Sequence, residues 1–307
     1  MWSYVLRRLL VTLPTLLAAI TVCYFLMHFT PGGPFDAEVK VSDVIMANLR
    51  EKYHLDEPVW KQYLYYLGNL LRGDLGSSFR FEDWSVNELV ARALPVSLSI
   101  GGTAIALSLV LGIGLGIVAA LRQNTVVDYA VMLLGSLGQV FPSFIVGPVL
   151  VLVFAIWLRW LPSGGWNDFA PRYMVLPVLL LTFINTAEIA RVMRGSLIEV
   201  LSSNFIRTAK AKGLPMRTVV LRHAMRPALL PVASLMGPLA ISVITSAVVT
   251  ESIFSLPGLG KLIVNGAGNR DYTLVLGLVV LITSAAVLLN LLVDLTYAFL
   301  DPRIRYR

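Results

Sequence analysis

The chain has 307 residues, of which 57% are hydrophobic and 14% charged, and its mean hydropathy is +0.76. Soluble domains carry about 25% charged residues, so this composition excludes an ordinary soluble domain and indicates a membrane protein. The net charge of +7 comes from basic residues scattered among the ends of apolar segments, which argues against nucleic-acid binding.

Six charge-free segments approach the roughly 20 residues that cross the hydrocarbon core of a bilayer. The fourth is short, and we expect its helix to continue to about Arg191. The sequence therefore predicts an all-α, polytopic membrane protein with six transmembrane helices. The segments run Leu9–Pro34, Ala93–Leu121, Tyr129–Leu158, Tyr173–Ala187, Pro227–Thr250 and Tyr272–Val293.

The first span begins after Arg7 and Arg8, as a signal peptide does, but no small-x-small cleavage site follows it. We interpret it as an uncleaved N-terminal helix occupying residues 1–34. Cys23 is the single cysteine, which excludes an intrachain disulfide or a site of several thiolate ligands.

The segment 35–92 is too long for a bare connection, and it carries ten acids against seven bases. A helix is predicted from about Glu57 to Leu71 with Gly73 as its stop, and Ser85 and Glu88 fit a capping box for the next helix. Helical spacing places on one face Trp60, Tyr63, Leu64, Leu67 and Leu71. We interpret the segment as a small helical extracytoplasmic subdomain that covers the bundle or docks an outer partner.

The distribution of basic residues predicts the orientation. With the N-terminus inside, the inner segments hold Arg122, the cluster from Arg191 to Arg226, and the arginines at both ends of the chain. Six crossings return the C-terminus to the cytoplasmic side. Residues 93–302 then form a five-helix core whose longest inner loop is 195–227.

The sequence motifs do not support an enzymatic activity. The three histidines lie far apart, no His-Glu-x-x-His motif occurs, and no phosphate-binding loop is present. The glycines of 112–116 and 135–138 are interpreted as positions of close helix packing. We therefore predict no catalytic, cofactor-binding or metal-binding residues.

Polar residues within the spans are candidates for a translocation path. No chain of acids crosses the midplane, which argues against ion coupling, whereas prolines are frequent and predict broken helices beside a wet path. Each polar group could instead hydrogen-bond its own backbone. The candidates are Gln139, Ser143, Asn185, Ser242, Thr245 and Ser246.

The stretch Ser202–Pro227 is a basic island that has no acid. Ser203 or Asn204 can cap a short helix, and Gly213 suits a left-handed helix stop. We predict that this helix presents a small-residue face, including Ala209, to another protein.

The island resembles the cytoplasmic coupling loop of permease subunits of type I ABC importers, in the peptide/nickel branch. Ala209 and Gly213 match the Glu-Ala-Ala-x-x-x-Gly pattern, and Arg207 and Thr208 stand at its first two positions. Other segments also resemble that branch, most closely the first membrane subunits of oligopeptide permeases; they are Gly68–Ser78, Glu251–Gly260 and Leu300–Arg303.

This resemblance implies a pore-forming subunit of an ATP-driven oligopeptide importer in the bacterial inner membrane. It implies four kinds of partner, namely a homologous second permease, two separate ATPase subunits, a soluble peptide-binding protein and the peptide itself. ATP hydrolysis would belong to the partners. The implied coupling residues are Asn204, Phe205, Arg207, Thr208, Ala209 and Gly213. The alternatives are a dipeptide or nickel permease and, from a different class, an ion-coupled secondary transporter.

Overall fold

The computed structural model describes residues 2–29, 57–81 and 83–300, and the regular elements among them are helices. The all-α prediction is confirmed. The ten helices named here are α1 (Trp2–Phe29), α2 (Val59–Leu71), α3 (Val86–Leu121), α4 (Val126–Val140), α5 (Ser143–Leu150), α6 (Pro171–Leu201), α7 (Asn204–Ala211), α8 (Met216–Ile253), α9 (Leu259–Gly268) and α10 (Tyr272–Leu300).

Four of these helices are long and apolar enough to cross a membrane, namely α3, α6, α8 and the part of α10 over Tyr272–Leu291. A fifth candidate is a bent pair, Val126–Gly138 and Ser143–Trp157, and α1 contributes the shorter apolar helix Leu13–Phe29. A chain of several spans is thus confirmed. The number six stays a prediction, because length and composition of the described residues give four or five.

The predicted third span, Tyr129–Leu158, is two helices that meet at an angle of 101°. Phe141 has extended backbone, since the residue before a proline is biased away from helical geometry, and Pro142 directly precedes α5. A π-helical turn, Val151–Trp157, continues α5.

The expectation that the other prolines also break helices is wrong, because in a water-free interior a bent helix leaves fewer backbone groups unpaired than a break. They lie inside helices, at Pro148, Pro177, Pro231 and Pro238.

The central helix of the bundle is α6, which packs against α3, α4, α5 and α8. Two glycines of α3 allow the closest approach. A Cβ added at Gly112 would lie 2.7 Å from the Ile189 side chain, and one at Gly116 would lie 2.7 Å from the Ala190 carbonyl oxygen. These contacts confirm that the glycine-rich stretch of α3 serves helix packing rather than nucleotide binding.

The start of α10 is tied to the segment that precedes α3. Asp271 is fully buried and accepts hydrogen bonds from the backbone N–H of Leu274 at 3.1 Å, the N–H of Phe79 at 3.2 Å, and the Ser78 hydroxyl. The capping box predicted at Ser85 and Glu88 is present. Together these bonds fix residues 73–81 and 83–85 to the bundle.

Glu251 holds a second junction at the same end of the molecule. Its carboxylate is 1% exposed and accepts hydrogen bonds from Ser97 Oγ at 2.6 Å, Gly260 N at 2.7 Å and Lys261 N at 3.2 Å. It therefore neutralises the N-terminus of α9, where unpaired N–H groups and the helix dipole favour an anion. Gly258 is required beside it, because an added Cβ would lie 2.3 Å from the carboxylate.

Replacing Glu251 with alanine is expected to destabilise the chain by about 1–3 kcal/mol for each buried donor left unpaired. Thermal unfolding of the detergent-purified chain measures the effect. Glu199→Ala is the matched control, since Glu199 is exposed on α6, and it should leave the melting temperature unchanged. Equal melting temperatures for both variants would contradict the assigned role.

Candidate functional site

The basic island contains the short helix α7, Asn204–Ala211, which begins where the sequence predicts. Ser203 precedes it with extended backbone, at φ −69° and ψ 155°, but does not cap it with a side-chain hydrogen bond. The Ser203 hydroxyl instead donates to the Val200 carbonyl oxygen at 2.6 Å. The seryl side chain therefore secures the turn between α6 and α7.

The end of α7 is the left-handed stop predicted at Gly213, which has φ +76°. Gly213 N donates to the Lys210 carbonyl at 2.9 Å, and Leu214 N donates to the Ala209 carbonyl at 3.4 Å. This pair of bonds is a Schellman motif. Leu214 also packs against the apolar cluster beneath α7, so the stop fixes where the chain enters α8.

Gly213→Ala is expected to destabilise the α7 stop by about 1–2 kcal/mol, the cost of left-handed backbone for an L-residue. An added Cβ would meet no atom within 4 Å, so the effect is purely conformational. Gly195→Ala on α6 is the control, because that site is also open and alanine favours helix there by about 0.5–1 kcal/mol. Melting temperatures should shift in opposite directions, and a shift in the same direction would contradict the argument.

The inner face of α7 is part of the chain's own core. Ile206 is fully buried and Ala209 is 7% exposed. Both pack in an apolar cluster that joins α3, α6 and α8, and its other buried members are Ala120, Ile189, Met193, Leu197, Val219, Ala224, Ala228, Val232 and Leu239. This arrangement differs from the expectation that Ala209 faces outward, since the small side chain instead lets α7 lie close to the bundle.

The outer face of α7 carries the remaining residues of the predicted coupling set. Phe205 is 51% exposed although it is a large aromatic side chain. The Thr208 hydroxyl donates to the Asn204 carbonyl oxygen at 3.1 Å, so its proton is already used within α7. The exposed residues of the segment are Asn204, Phe205, Arg207, Thr208, Lys210, Ala211, Lys212 and Gly213. One aromatic among basic and small residues is a surface suited to binding a protein rather than a bilayer core.

A partly buried ion pair braces α6, the helix that leads into α7. Arg194 on α6 donates from Nε to Asp128 Oδ1 at 2.5 Å and from Nη2 to Asp128 Oδ2 at 2.7 Å, and Asp128 is 1% exposed. Asn124 N adds a third bond to the carboxylate at 2.9 Å. This bidentate pair joins α4 to α6 two turns before the island. Sequence reasoning missed it because the partners lie far apart in the chain.

Three of the six polar candidates for a translocation path have described side chains. Asn185 is buried and its Nδ2 donates to the Leu181 carbonyl of its own helix at 2.7 Å. Ser143 is half-buried and Ser242 is exposed. The side chains of Gln139, Thr245 and Ser246 lie outside the described ones. The assignment of these six residues to a path stays a prediction.

These observations define a class of protein. The chain is a helical membrane protein with several spans, and it carries one short basic helix whose inner face is anchored in the bundle and whose outer face is open. That is the architecture of a transporter's membrane subunit.

Comparison with known proteins identifies the family. The model of the binding-protein-dependent transport system inner membrane component matches residues 112–306. The oligopeptide transport system permease protein OppB of Haemophilus influenzae is 54% identical over 306 residues, with 100% of both chains covered. The protein of that name from Escherichia coli K12 is 52% identical, and the dipeptide transport system permease protein DppB of Bacillus subtilis is 40% identical over 305 residues, covering 99% of this chain and 98% of its own.

The chain therefore belongs to the family of binding-protein-dependent transport system inner membrane components, the permease subunits of type I ABC importers. The fold agrees. A chain of the inward-facing MetNI methionine ABC transporter superimposes with a TM-score of 0.58, at 16% identity, over 69% of this chain and 96% of its own. The resemblance stated from the sequence is confirmed.

Proposed function

We propose that this chain is the pore-forming subunit of an ATP-driven importer of oligopeptides, and that α7 is its coupling helix. The similarity over the full length to permeases named for oligopeptide transport carries the choice of substrate. The proposed partners are a homologous second permease, two ATPase subunits and a soluble peptide-binding protein. ATP hydrolysis belongs to the ATPases.

The geometry of α7 supports the coupling role. Ile206 and Ala209 anchor the helix to α3, α6 and α8, so a displacement imposed on its outer face is transmitted to three long helices. The Asp128–Arg194 pair stiffens α6 just before the island. A helix attached in this way moves with the bundle, as coupling requires, whereas a flexible loop would absorb the displacement.

Reconstitution in liposomes tests the proposal. The complete complex should accumulate labelled tri- to pentapeptides when ATP and the binding protein are supplied, and it should fail without ATP. Accumulation of nickel but of no peptide would favour the metal branch of the family. Accumulation driven by an ion gradient without ATP would overturn the importer assignment.

The proposed orientation places the island, both termini and the loop at Arg122 in the cytoplasm, and α2 outside. In a chain with Cys23 replaced, Arg217→Cys should resist an impermeant thiol reagent in intact spheroplasts and react after lysis, because the island faces inward. Asp74→Cys, on the exposed outer segment, should react in intact spheroplasts. Strong labelling at position 217 before lysis would overturn the orientation.

A further inference from the structure

The helix α2, Val59–Leu71, has three distinct faces. One face meets α1 through Tyr63 and Tyr66. A second is apolar and open to the surroundings, with Trp60 60% exposed, Leu64 56% and Leu71 91%. These three residues follow helical spacing at i, i+4 and i+11, so they form one stripe. The third face is polar, and its residues are Lys61, Tyr65 and Asn69.

The helix α2 contacts α1 about two turns before the C-terminal end of α1. The Thr21 hydroxyl hydrogen-bonds the Tyr63 hydroxyl at 2.5 Å, and the Tyr24 ring lies 5.1 Å from the Tyr63 ring and 5.5 Å from the Tyr66 ring. Thr21 is two turns before Phe29, the last residue of α1, which is about 12 Å along a helix axis at 1.5 Å per residue. Since the apolar part of α1 runs from Leu13 to Phe29, α2 rests against the apolar part of the helix that the sequence predicts as the first span.

The face of α1 that receives α2 is itself apolar and exposed beyond the contact. Leu17 and Leu10 precede Tyr24 by seven and fourteen residues and therefore share its side of the helix. They are 50% and 63% exposed. Uncovered apolar side chains along such a helix are suited to contact with lipid. The helix α2 lies on this apolar, uncovered side.

Burial agrees with such a position. Desolvation, on the side of α2 that meets α1, raises the pKa of the Tyr66 hydroxyl to about 12. The group therefore stays neutral on the protected side of α2, whereas Lys61 on the polar face pairs with Glu57 at 2.8 Å. The α1 side of the helix is thus shielded from water, whereas its polar face carries an ion pair, so α2 is amphipathic as an interfacial helix must be.

We propose that α2 is an interfacial helix that lies in the outer leaflet of the membrane, with Trp60, Leu64 and Leu71 inserted among the lipids and Lys61 and Asn69 facing water. An amphipathic helix with a tryptophan on its apolar face binds at the boundary between head groups and acyl chains. The helix anchors the first span laterally, so the bilayer is its partner and the soluble binding protein is not.

Depth-dependent quenching tests the proposal on the assembled transporter in nanodiscs of phosphatidylethanolamine and phosphatidylglycerol. Leu64→Cys and Leu71→Cys are labelled with an environment-sensitive fluorophore in a chain with Cys23 replaced. Asn69→Cys is the matched control, because it is exposed on the same helix but on the polar face. Lipids that carry a nitroxide at carbon 5 quench from the membrane, and iodide quenches from water.

The nitroxide lipids should quench the labels at positions 64 and 71 several-fold more than the label at position 69, and iodide should show the reverse order. Addition of the binding protein should leave this pattern unchanged. Equal iodide quenching at all three positions would overturn the proposal. So would protection of positions 64 and 71 that appears only with the binding protein, or an absence of lipid quenching because the second permease covers the stripe.

Discussion

Replacing Ala209 with glutamate should abolish peptide uptake and should also lower the melting temperature of the permease chain when it is studied without its ATPases. Ala209 is 7% exposed and packs in the cluster beneath α7. An uncompensated buried charge costs about 3–5 kcal/mol. The helix would therefore detach from the bundle, and the connection between α7 and the spans would be lost.

Ala211→Glu is the matched control for this substitution. Ala211 is on the same helix but exposed, so the same new charge should leave the melting temperature of the isolated chain unchanged. If Ala209→Glu also leaves it unchanged, the inner face of α7 is not anchored as the structure describes. If the chain is destabilised but transport persists, α7 is not the coupling element.

The structure changes the reason for a small residue at position 209. The sequence pattern of the family resemblance predicts a small side chain that seats in a partner's groove. The residue instead allows α7 to approach its own bundle, while Phe205 and Thr208 are on the open face. Helical spacing over eight residues divides α7 into two faces, but it does not state which face is turned inward.

Local signals in the sequence predicted much of the fold. Four of the charge-free segments coincide with the helices that are long and apolar enough to cross a membrane. Gly213 and Gly73 marked helix ends with positive φ, and Ser85 with Glu88 formed the expected capping box. The predicted helix ends differ more from those in the structure. The predicted fourth span ended near Arg191, whereas α6 continues to Leu201, because a helix that leaves the membrane can carry charged residues without a break.

Contacts between distant residues could not be predicted in the same way. Glu251 directly follows the charge-free segment Pro227–Thr250, but its bond to Ser97 spans 154 positions. Asp271 and Ser78 are 193 positions apart. Helical periodicity predicts only which residues within a few turns of one helix are neighbours. It therefore does not identify the hydrogen-bond donors that distant parts of the chain bring to a buried acid. The Asp128–Arg194 pair was missed for the same reason.

Replacing Phe205 with alanine should weaken binding of the ATPase subunits by roughly 30-fold or more, while the isolated chain keeps its melting temperature. A half-exposed aromatic at the centre of a protein interface is a typical hot spot, whose loss costs about 2 kcal/mol or more, and 1.4 kcal/mol corresponds to tenfold in Kd. Phe205 is 51% exposed on α7 and lies outside the buried cluster, so its removal leaves no cavity in the permease. Titration of the ATPases onto nanodiscs that hold both permeases measures the change.

Val264→Ala provides the comparison, because Val264 is also apolar and exposed, at 46%, but lies on α9 at the opposite end of the molecule from the island. It should leave ATPase affinity unaltered. Comparison of Phe205→Ala with Ala209→Glu then separates two roles of α7. Changes on the inner face should lower both stability and transport, whereas changes on the outer face should lower only the affinity for the ATPases. Unchanged ATPase binding by Phe205→Ala would mean that α7 docks through another surface, since no other large apolar side chain among the described residues of this helix is exposed.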